Sequence, residues 1–140
     1  MAKMQIDLPQ EFDFSTDFQV CIDDVFPGGH LRNYRLISML NETHLRFMQA
    51  KGFFQLEIDG LYFINVDLEV KYESEAFHGD VLTVEVAVAN MHRYGCDLLY
   101  LVTNKTRDRV AAVAKTGMLF FDYQQKKTAE VPVAFKSIFT

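Results

Sequence analysis

The sequence predicts an α+β fold in which one long helix is wrapped by a curved antiparallel sheet. A stretch from about Leu31 to Lys51 lacks both Pro and Gly and carries apolar residues at helical spacing. Most of the chain after it alternates apolar and polar residues in runs typical of β-strands. A helix that covers the apolar face of a sheet buries both, so we expect a single domain spanning residues 1–140.

The first two predicted elements are a strand and the long helix. The strand is expected at Thr16–Ile22, and a loop follows from Asp23 to Gly29. Gly52 stands where the glycine that ends a helix is commonly found. One helix face is predicted to be buried, formed by Leu36, Leu40 and Phe47 and widened by Ile37 and Met39.

Four further strands are predicted after the helix, the last three in meander order. Gly117, inside the last of them, indicates a bend or a close contact, and the Phe-rich tail at 131–139 is expected to dock on the body. The strands are Leu61–Tyr72, Val81–Ala89, Cys96–Asn104 and Val110–Tyr123, with turns at 59–60, 79–80 and 105–109. Their apolar faces are predicted to be Tyr62, Ile64, Val66, Leu68, Val70 and Tyr72 in the first, and Leu82, Val84, Val86 and Val88 in the second.

Composition narrows the classes of function. The chain has 49% hydrophobic residues, enough for a real core, and a formal net charge of -5, which argues against nucleic acid or an anionic membrane as a partner. No window approaches the roughly 18 apolar residues that a membrane span needs. The two cysteines, Cys21 and Cys96, form no Cys-x-x-Cys pair, so free thiols in a reducing cytoplasm are expected.

The sequence lacks the motifs of several common classes of enzyme and binding site. There is no Gly-x-Ser-x-Gly elbow for a serine esterase, and no phosphate-binding or dinucleotide-binding glycine motif. His44, His78 and His92 are scattered without the spacing of metal ligands. We therefore expect neither a metal nor a cofactor.

The stretch "DVFPGGHLRN", residues 24–33, combines groups that suit attack on a carbonyl. Asp24 supplies a carboxylate that can attack or can deprotonate water. Gly28 and Gly29 let backbone approach a ligand without a Cβ in the way. The unpaired N–H groups and the positive dipole end at the start of the helix stabilise developing negative charge.

This stretch and the chain after it resemble the hotdog-fold acyl-CoA thioesterases, most closely the 4-hydroxybenzoyl-CoA thioesterase-like branch. Asp24 precedes His30 by six residues, as in the longer Asp-x-x-x-Gly-Gly-His form of the family loop. "GHLRN" is similar to the commoner "GHVNN", with Arg32 replacing the first Asn. "VDLEVKYESEAFHGDVLTVEVAV" resembles the two long strands that the family joins at Gly-Asp, and "FFDYQQKKTAEVP" resembles its terminal strand.

The resemblance implies hydrolysis of an acyl-CoA thioester to a free acid and CoA. Asp24 would be the nucleophile or general base, and the backbone N–H of Leu31, near Arg32, would hold the thioester carbonyl. Gly28, Gly29, His30, Arg32 and Asn33 would bind substrate, with Glu42 as reserve catalytic carboxylate. The family further implies a homodimer or homotetramer whose sheets join edge to edge and whose sites lie at the subunit interface.

Several alternatives stay open at this point. Asp23 competes with Asp24 for the carboxylate role, and an exposed ion pair with Arg46 at i+4 is the simpler explanation for Glu42. The turn cations Arg93, Lys105, Arg107 and Arg109 suit CoA phosphates, although solvated turn charges are the simpler explanation. A hotdog hydratase or dehydratase, a thioesterase for a carrier protein, and a non-catalytic acyl-thioester binding module are the competing functions.

Overall fold

The computed structural model describes residues 5–54 and 56–139. Residues 1–4, Gln55 and Thr140 of the predicted domain lie outside the described residues. A short 3-10 turn at Ile22–Asp24 precedes the long helix. In chain order the elements are β1 (Phe14–Gln19), α1 (Asn33–Ala50), β2 (Glu57–Ile58), β3 (Leu61–Tyr72), β4 (Val81–His92), β5 (Gly95–Asn104), β6 (Arg109–Asp122), β7 (Lys127–Ala129) and α2 (Val133–Phe139).

The strands form one antiparallel sheet in the order β1-β4-β5-β6-β3-β2, with β7 paired to β6. The sheet curls around α1, whose buried face includes the predicted Leu36, Leu40 and Phe47. The inward side of β4 was predicted correctly for Leu82 and its neighbours Val84 and Val86, which are fully buried. This is the hotdog fold, as the alternation of the strands and the resemblance implied.

Helix α1 begins two residues later than the sequence predicts. His30 pairs with Phe77 and Leu31 pairs with Val25 as isolated β-bridges, so both residues are extended rather than helical. Arg32 is the N-cap, with φ −71° and ψ 140°. The helical periodicity does not reveal this, because it reports which side chains share a face and not that the backbone pairs with Val25 and Phe77.

The apolar face predicted for β3 is wrong in the first half of the strand, whereas Val70, in the second half, packs against the core as predicted. Before residue 65 the opposite face is the buried one, and Phe63 is fully buried. A β-bulge then shifts the register between Asn65 and Asp67, so Val66 is 52% exposed and Val70 faces the core. The carboxylate of Asp67 accepts a hydrogen bond from the N–H of Gly117 at 2.7 Å. A Cβ on Gly117 would lie 2.6 Å from that carboxylate, which explains the glycine that the sequence marked as a close contact.

The tail docks on the body, as predicted, through a helix that the sequence analysis did not predict. Phe135 of α2 is fully buried and lies 5.0 Å from Phe63 and 5.2 Å from Phe120, measured between ring centroids. These rings close the end of the core that lies away from the start of α1. Neither helix in residues 5–54 and 56–139 is long and apolar enough to cross a membrane.

Candidate active site

A cleft of about 390 Å³ opens at the start of α1. Residues 30–33 and Leu36 form one wall, and residues 72–76, at the end of β3 and just beyond it, form the other. The two walls are joined directly, because the N–H of Leu31 donates a hydrogen bond to the carbonyl oxygen of Ala76 at 2.7 Å. The cleft is therefore built from segments that sequence patterns alone do not bring together.

The glycines before the cleft form a tight turn. Gly28 has φ +70°, a backbone conformation that residues other than glycine rarely adopt. The N–H of Gly29 donates to the carbonyl oxygen of Phe26 at 2.7 Å, and the N–H of Phe26 donates to that of His30 at 3.3 Å. Neither glycine lines the cleft, so in this structure the two glycines shape the loop and do not contact the space available to substrate.

The prediction that the backbone N–H of Leu31 is the oxyanion donor is corrected by the structure. That N–H already donates to the carbonyl oxygen of Ala76, and the N–H of Arg32 donates to the carbonyl oxygen of Asp24 at 2.8 Å. The N–H groups of Asn33 and Tyr34 have no acceptor among the described residues. They stand in the first turn of an 18-residue helix, where backbone donors and the helix dipole combine to favour negative charge.

Asp24 is buried and both of its carboxylate oxygens are bonded. Oδ2 accepts the N–H of Cys21 at 2.8 Å, which closes the 3-10 turn, and Oδ1 accepts the Nε–H of Arg35 at 2.8 Å. The carboxylate thus ties the loop to α1, and Asp24 does not line the cleft. The competing Asp23 is exposed and has no ion pair within the described part of the chain.

His30, Arg32 and Asn33 do line the cleft, as the sequence predicts for substrate-binding residues. The Nδ1–H of His30 donates to the carbonyl oxygen of Leu31 at 2.9 Å. The guanidinium of Arg32 lies 4.3 Å above the ring of Phe26, so its charge covers the glycine turn. The carbonyl oxygen of Asn33 accepts the hydroxyl of Tyr72 at 3.5 Å, across the cleft.

The reserve candidate Glu42 lies away from this cleft. It is exposed, and Oε2 accepts the Nε–H of Arg46 at 2.9 Å in an i,i+4 ion pair. Arg46 also donates to the hydroxyl of Thr16, which ties the helix surface to β1. These contacts match the exposed ion pair that the sequence left as the alternative for Glu42.

The turn cations are also engaged within the chain. Arg107 pairs with the buried carboxylate of Asp80 at 2.8 Å, and Arg109 donates to the carbonyl oxygen of Glu75 at 2.6 Å. Lys105 pairs with Asp17 and Arg93 with Glu130. All four cations therefore have partners within the chain, and these contacts do not single out any of them as a binding residue for CoA phosphates.

Sequence reasoning missed the second wall of the cleft. Glu73 and Glu75 bring carboxylates to it, and Glu73 pairs with Lys71 at 3.4 Å. The segment "YESEAF", residues 72–77, begins at the last residue of a predicted strand and has the composition of an ordinary polar turn. The bridge from His30 to Phe77 and the hydrogen bond from Leu31 to Ala76 show that these residues face the start of α1. Across the described ranges, no three His, Cys, Asp or Glu side chains gather as a metal site.

Comparison with solved structures shows the same fold in several proteins. A thioesterase from Thermus thermophilus complexed with coenzyme A and Zn has 23% identity and a TM-score of 0.79, covering 91% of this chain and 97% of that one. A 1,4-dihydroxy-2-naphthoyl-CoA thioesterase from Synechocystis has 16% identity and a TM-score of 0.80, covering 90% and 94%. A Staphylococcus aureus protein in complex with CoA has 15% identity and a TM-score of 0.82, covering 95% and 84%.

A comparison of sequences identifies the family. No curated protein matches the sequence of this chain. The family model described as the thioesterase-like superfamily matches residues 8–139, nearly the whole chain. The protein therefore belongs to the thioesterase-like superfamily.

Proposed function

We propose that the protein hydrolyses an acyl-CoA thioester to the free acid and CoA at the cleft beside the start of α1. One observation carries the proposal: the unpaired N–H groups of Asn33 and Tyr34 stand where the helix begins, beside the cleft. Membership of the thioesterase-like superfamily supplies the class of bond. The CoA and CoA-thioester compounds named for the structural neighbours support CoA as the carrier.

The proposed chemistry uses the helix as the electrostatic partner of the reaction. As a nucleophile adds to the thioester carbon, the carbonyl oxygen gains negative charge, and the amides of Asn33 and Tyr34 donate to it. Because these donors are already oriented by α1, no reorganisation is needed as the charge develops. His30 and Arg32 flank the thioester in this arrangement.

Asp24 remains the proposed catalytic carboxylate, as nucleophile or as base for water. The family resemblance implies this role, and the position of Asp24 just before the glycine turn in the sequence, with its carbonyl oxygen bonded to the N–H of Arg32, supports it. Each carboxylate oxygen accepts one hydrogen bond, from Cys21 or Arg35, and keeps a further lone pair that can attack the thioester or accept a proton from water.

We further propose that two copies join along β3. From Ile64 to Tyr72 that strand has no partner strand on its outer edge within the described residues. Val66 and Leu68 on it are 52% and 42% exposed. An unpaired strand edge with apolar side chains is a template for pairing with a second chain. A second copy there would lie next to the cleft wall at 72–76, so the sites would lie near the subunit interface of a homodimer or homotetramer in the cytoplasm.

A panel of aliphatic and aromatic acyl-CoAs tests the activity, with detection of the free thiol. We expect saturable release of CoA from at least one class of acyl group, and loss of that release when the thioester is replaced by a thioether analogue. Tight binding of the panel without any thiol release would instead favour the non-catalytic binding module. Release from acylated carrier protein but not from CoA would transfer the activity to the carrier-protein thioesterases.

A further inference from the structure

His30 presents an unpaired imidazole nitrogen at the cleft. Its Nδ1 lies 2.9 Å from the carbonyl oxygen of Leu31. A carbonyl oxygen only accepts, so Nδ1 carries the proton of the neutral ring and the lone pair resides on Nε2. Nε2 has no hydrogen-bond partner in the part of the chain that the structure describes. A half-buried imidazole with a fixed tautomer and a free basic nitrogen thus lines the cleft.

The imidazole is also fixed in position. The backbone of His30 bridges to Phe77 on one side, and its carbonyl oxygen accepts the N–H of Phe26 at 3.3 Å on the other. The ring of Phe26 meets the imidazole edge-to-face, with centroids 5.7 Å apart. Groups held in place before substrate arrives are effective in proton transfer, because their orientation costs nothing during the reaction.

Other bases near the cleft are less suited. Both oxygens of Asp24 are bonded and the side chain does not line the cleft. Glu73 pairs with Lys71. Glu75 lies on the opposite wall and is exposed, and Arg109 contacts its backbone carbonyl oxygen. Its carboxylate has no hydrogen-bond or ion-pair partner among the described residues, whereas the imidazole of His30 bonds to Leu31.

Building on the proposed thioester hydrolysis, we infer that His30 is the general base that takes a proton from the attacking water through Nε2. The water oxygen bonds to the thioester carbon while one of its protons passes to Nε2. The electron pair of the C=O bond moves to the oxygen, which the amides of Asn33 and Tyr34 stabilise. The intermediate collapses by breaking the C–S bond, and the imidazolium proton passes to sulfur, giving the acid and the CoA thiol.

With His30 as the base, Asp24 is not the base for water, but a nucleophilic role for Asp24 remains compatible. If Asp24 attacks the thioester first, CoA leaves as the thiolate and an acyl-aspartyl anhydride remains. Water must then be deprotonated to hydrolyse that anhydride, and the same proton reaches the thiolate. His30 serves this water as it serves the direct reaction, since the proton balance is identical.

The test compares His30→Gln and His30→Ala with two matched variants, using the acyl-CoA that the wild-type protein hydrolyses best. In His30→Gln we expect kcat for hydrolysis to fall by about 10²–10⁴-fold with little change in KM, the range for removal of a general base. Transfer of the acyl group to hydroxylamine should be retained, because this nucleophile does not need a base to remove a proton before attack. Added imidazole should restore hydrolysis in His30→Ala as its concentration rises.

The matched variants make the outcome decisive. His78→Gln changes an exposed histidine that does not line the cleft and should hydrolyse at the wild-type rate. Wild-type hydrolysis by His30→Gln would overturn the inference, and so would equal loss of hydrolysis and hydroxylamine transfer, which indicates a positioning role. Loss in Glu75→Gln with His30→Gln unaffected would move the base to the other wall. If the wild-type protein releases no thiol from any acyl-CoA, it is the proposed function that fails.

Discussion

The guanidinium of Arg35 donates its Nε–H to Oδ1 of Asp24 at 2.8 Å, and this ion pair joins α1 to the loop that carries the glycine turn. The carboxylate is 6% exposed, whereas the guanidinium is 42% exposed. Asp24→Asn removes the charge and keeps the shape of the side chain. We expect turnover of acyl-CoA to fall by at least about 100-fold in this variant, as for removal of a catalytic carboxylate, in a thiol-release assay.

Arg35→Gln is the control that separates catalysis from positioning. It keeps the carboxylate of Asp24 and removes only the cation, whose exposed side limits its contribution to stability to about 1 kcal/mol or less. If Asp24 acts only by tying the loop to α1, both variants will lose similar activity. Asp23→Asn, which alters the exposed neighbouring carboxylate, should leave turnover unchanged.

Asp80 should govern the stability of the protein in acid. Burial alone would raise the pKa of Asp80, but hydrogen bonds from Asn104, from the N–H of Phe77 and from Arg107 outweigh it and lower that pKa below 3.8. The resulting stability is present above pH 3.8 and is lost as pH falls through the lowered pKa of the folded state. Asp80→Asn should reduce the free energy of unfolding at neutral pH by about 2 kcal/mol and weaken its dependence on pH below 4.

Urea unfolding at a series of pH values measures both effects of Asp80→Asn. Asp108→Asn, at an exposed turn, should have the same pH dependence as the wild-type protein. An Asp80→Asn protein with unaltered acid unfolding would show that the network around Asn104 and Arg107 does not depend on the charge.

His44 should produce a second pH dependence, in a different range. It is buried on α1 against Phe63, and Nε2 has no hydrogen-bond partner in residues 5–54 and 56–139. Burial lowers the pKa of His44 from 6.5 to about 4, so between these values the unfolded chain binds a proton that the folded protein excludes. Stability therefore falls as pH decreases from 6.5 towards 4, by up to roughly 3 kcal/mol from this group.

Replacing His44 by Leu tests that dependence. The variant should lose most of the fall in melting temperature between pH 6.5 and pH 4, and it should gain stability at neutral pH because an unpaired buried polar atom is removed. His92→Gln, an exposed change, provides the comparison. A His44→Leu protein whose melting temperature still falls as steeply as that of the wild type would show that other groups cause the effect.

The two cysteines should react very differently. Cys21 is exposed, whereas Cys96 is fully buried and burial raises the pKa of its thiol to about 12, with a smaller contribution from Asp97. Thiolates, not thiols, are the reactive form. Iodoacetamide should therefore label one thiol per chain in the native protein and two after denaturation, as counted by mass spectrometry. Native labelling of Cys96 would contradict the packing of β5.

The sequence predicted those features of the fold that depend on local periodicity. Leu36, Leu40 and Phe47 fall on one helix face whatever the partner, and the alternation of β4 places Leu82 and its neighbours inward. The β-bulge at β3 was not predictable in this way, because the Asp67 carboxylate bonds to Gly117 on another strand. A bulge reverses the face of every later residue, so no single alternation describes both halves of β3: Phe63 is buried before the bulge and Val70 packs against the core after it.

The sequence predicted which stretch of the chain forms the candidate site, but not the hydrogen bonds that its residues make. His30, Arg32 and Asn33 line the cleft because they precede or begin the helix. The donor assignment to Leu31 was wrong because its N–H is taken by Ala76, a contact between distant segments. The contacts of Asp24 with Arg35 and Cys21 also depend on how the loop closes, which residue spacing alone does not specify.

The proposed oxyanion donor, the backbone amide of Asn33, is tested by comparing kcat/KM of Asn33→Pro with kcat/KM of Asn33→Ala. Proline at the first helical position removes only an N–H that has no partner in the helix, and Arg32 already has φ −71° and ψ 140°, which suit a residue before proline. Asn33→Ala removes the side chain and keeps the amide. We predict that kcat/KM for the best acyl-CoA is about 10²–10³-fold lower in Asn33→Pro than in Asn33→Ala, with similar melting temperatures. Equal kcat/KM in the two variants would contradict the account.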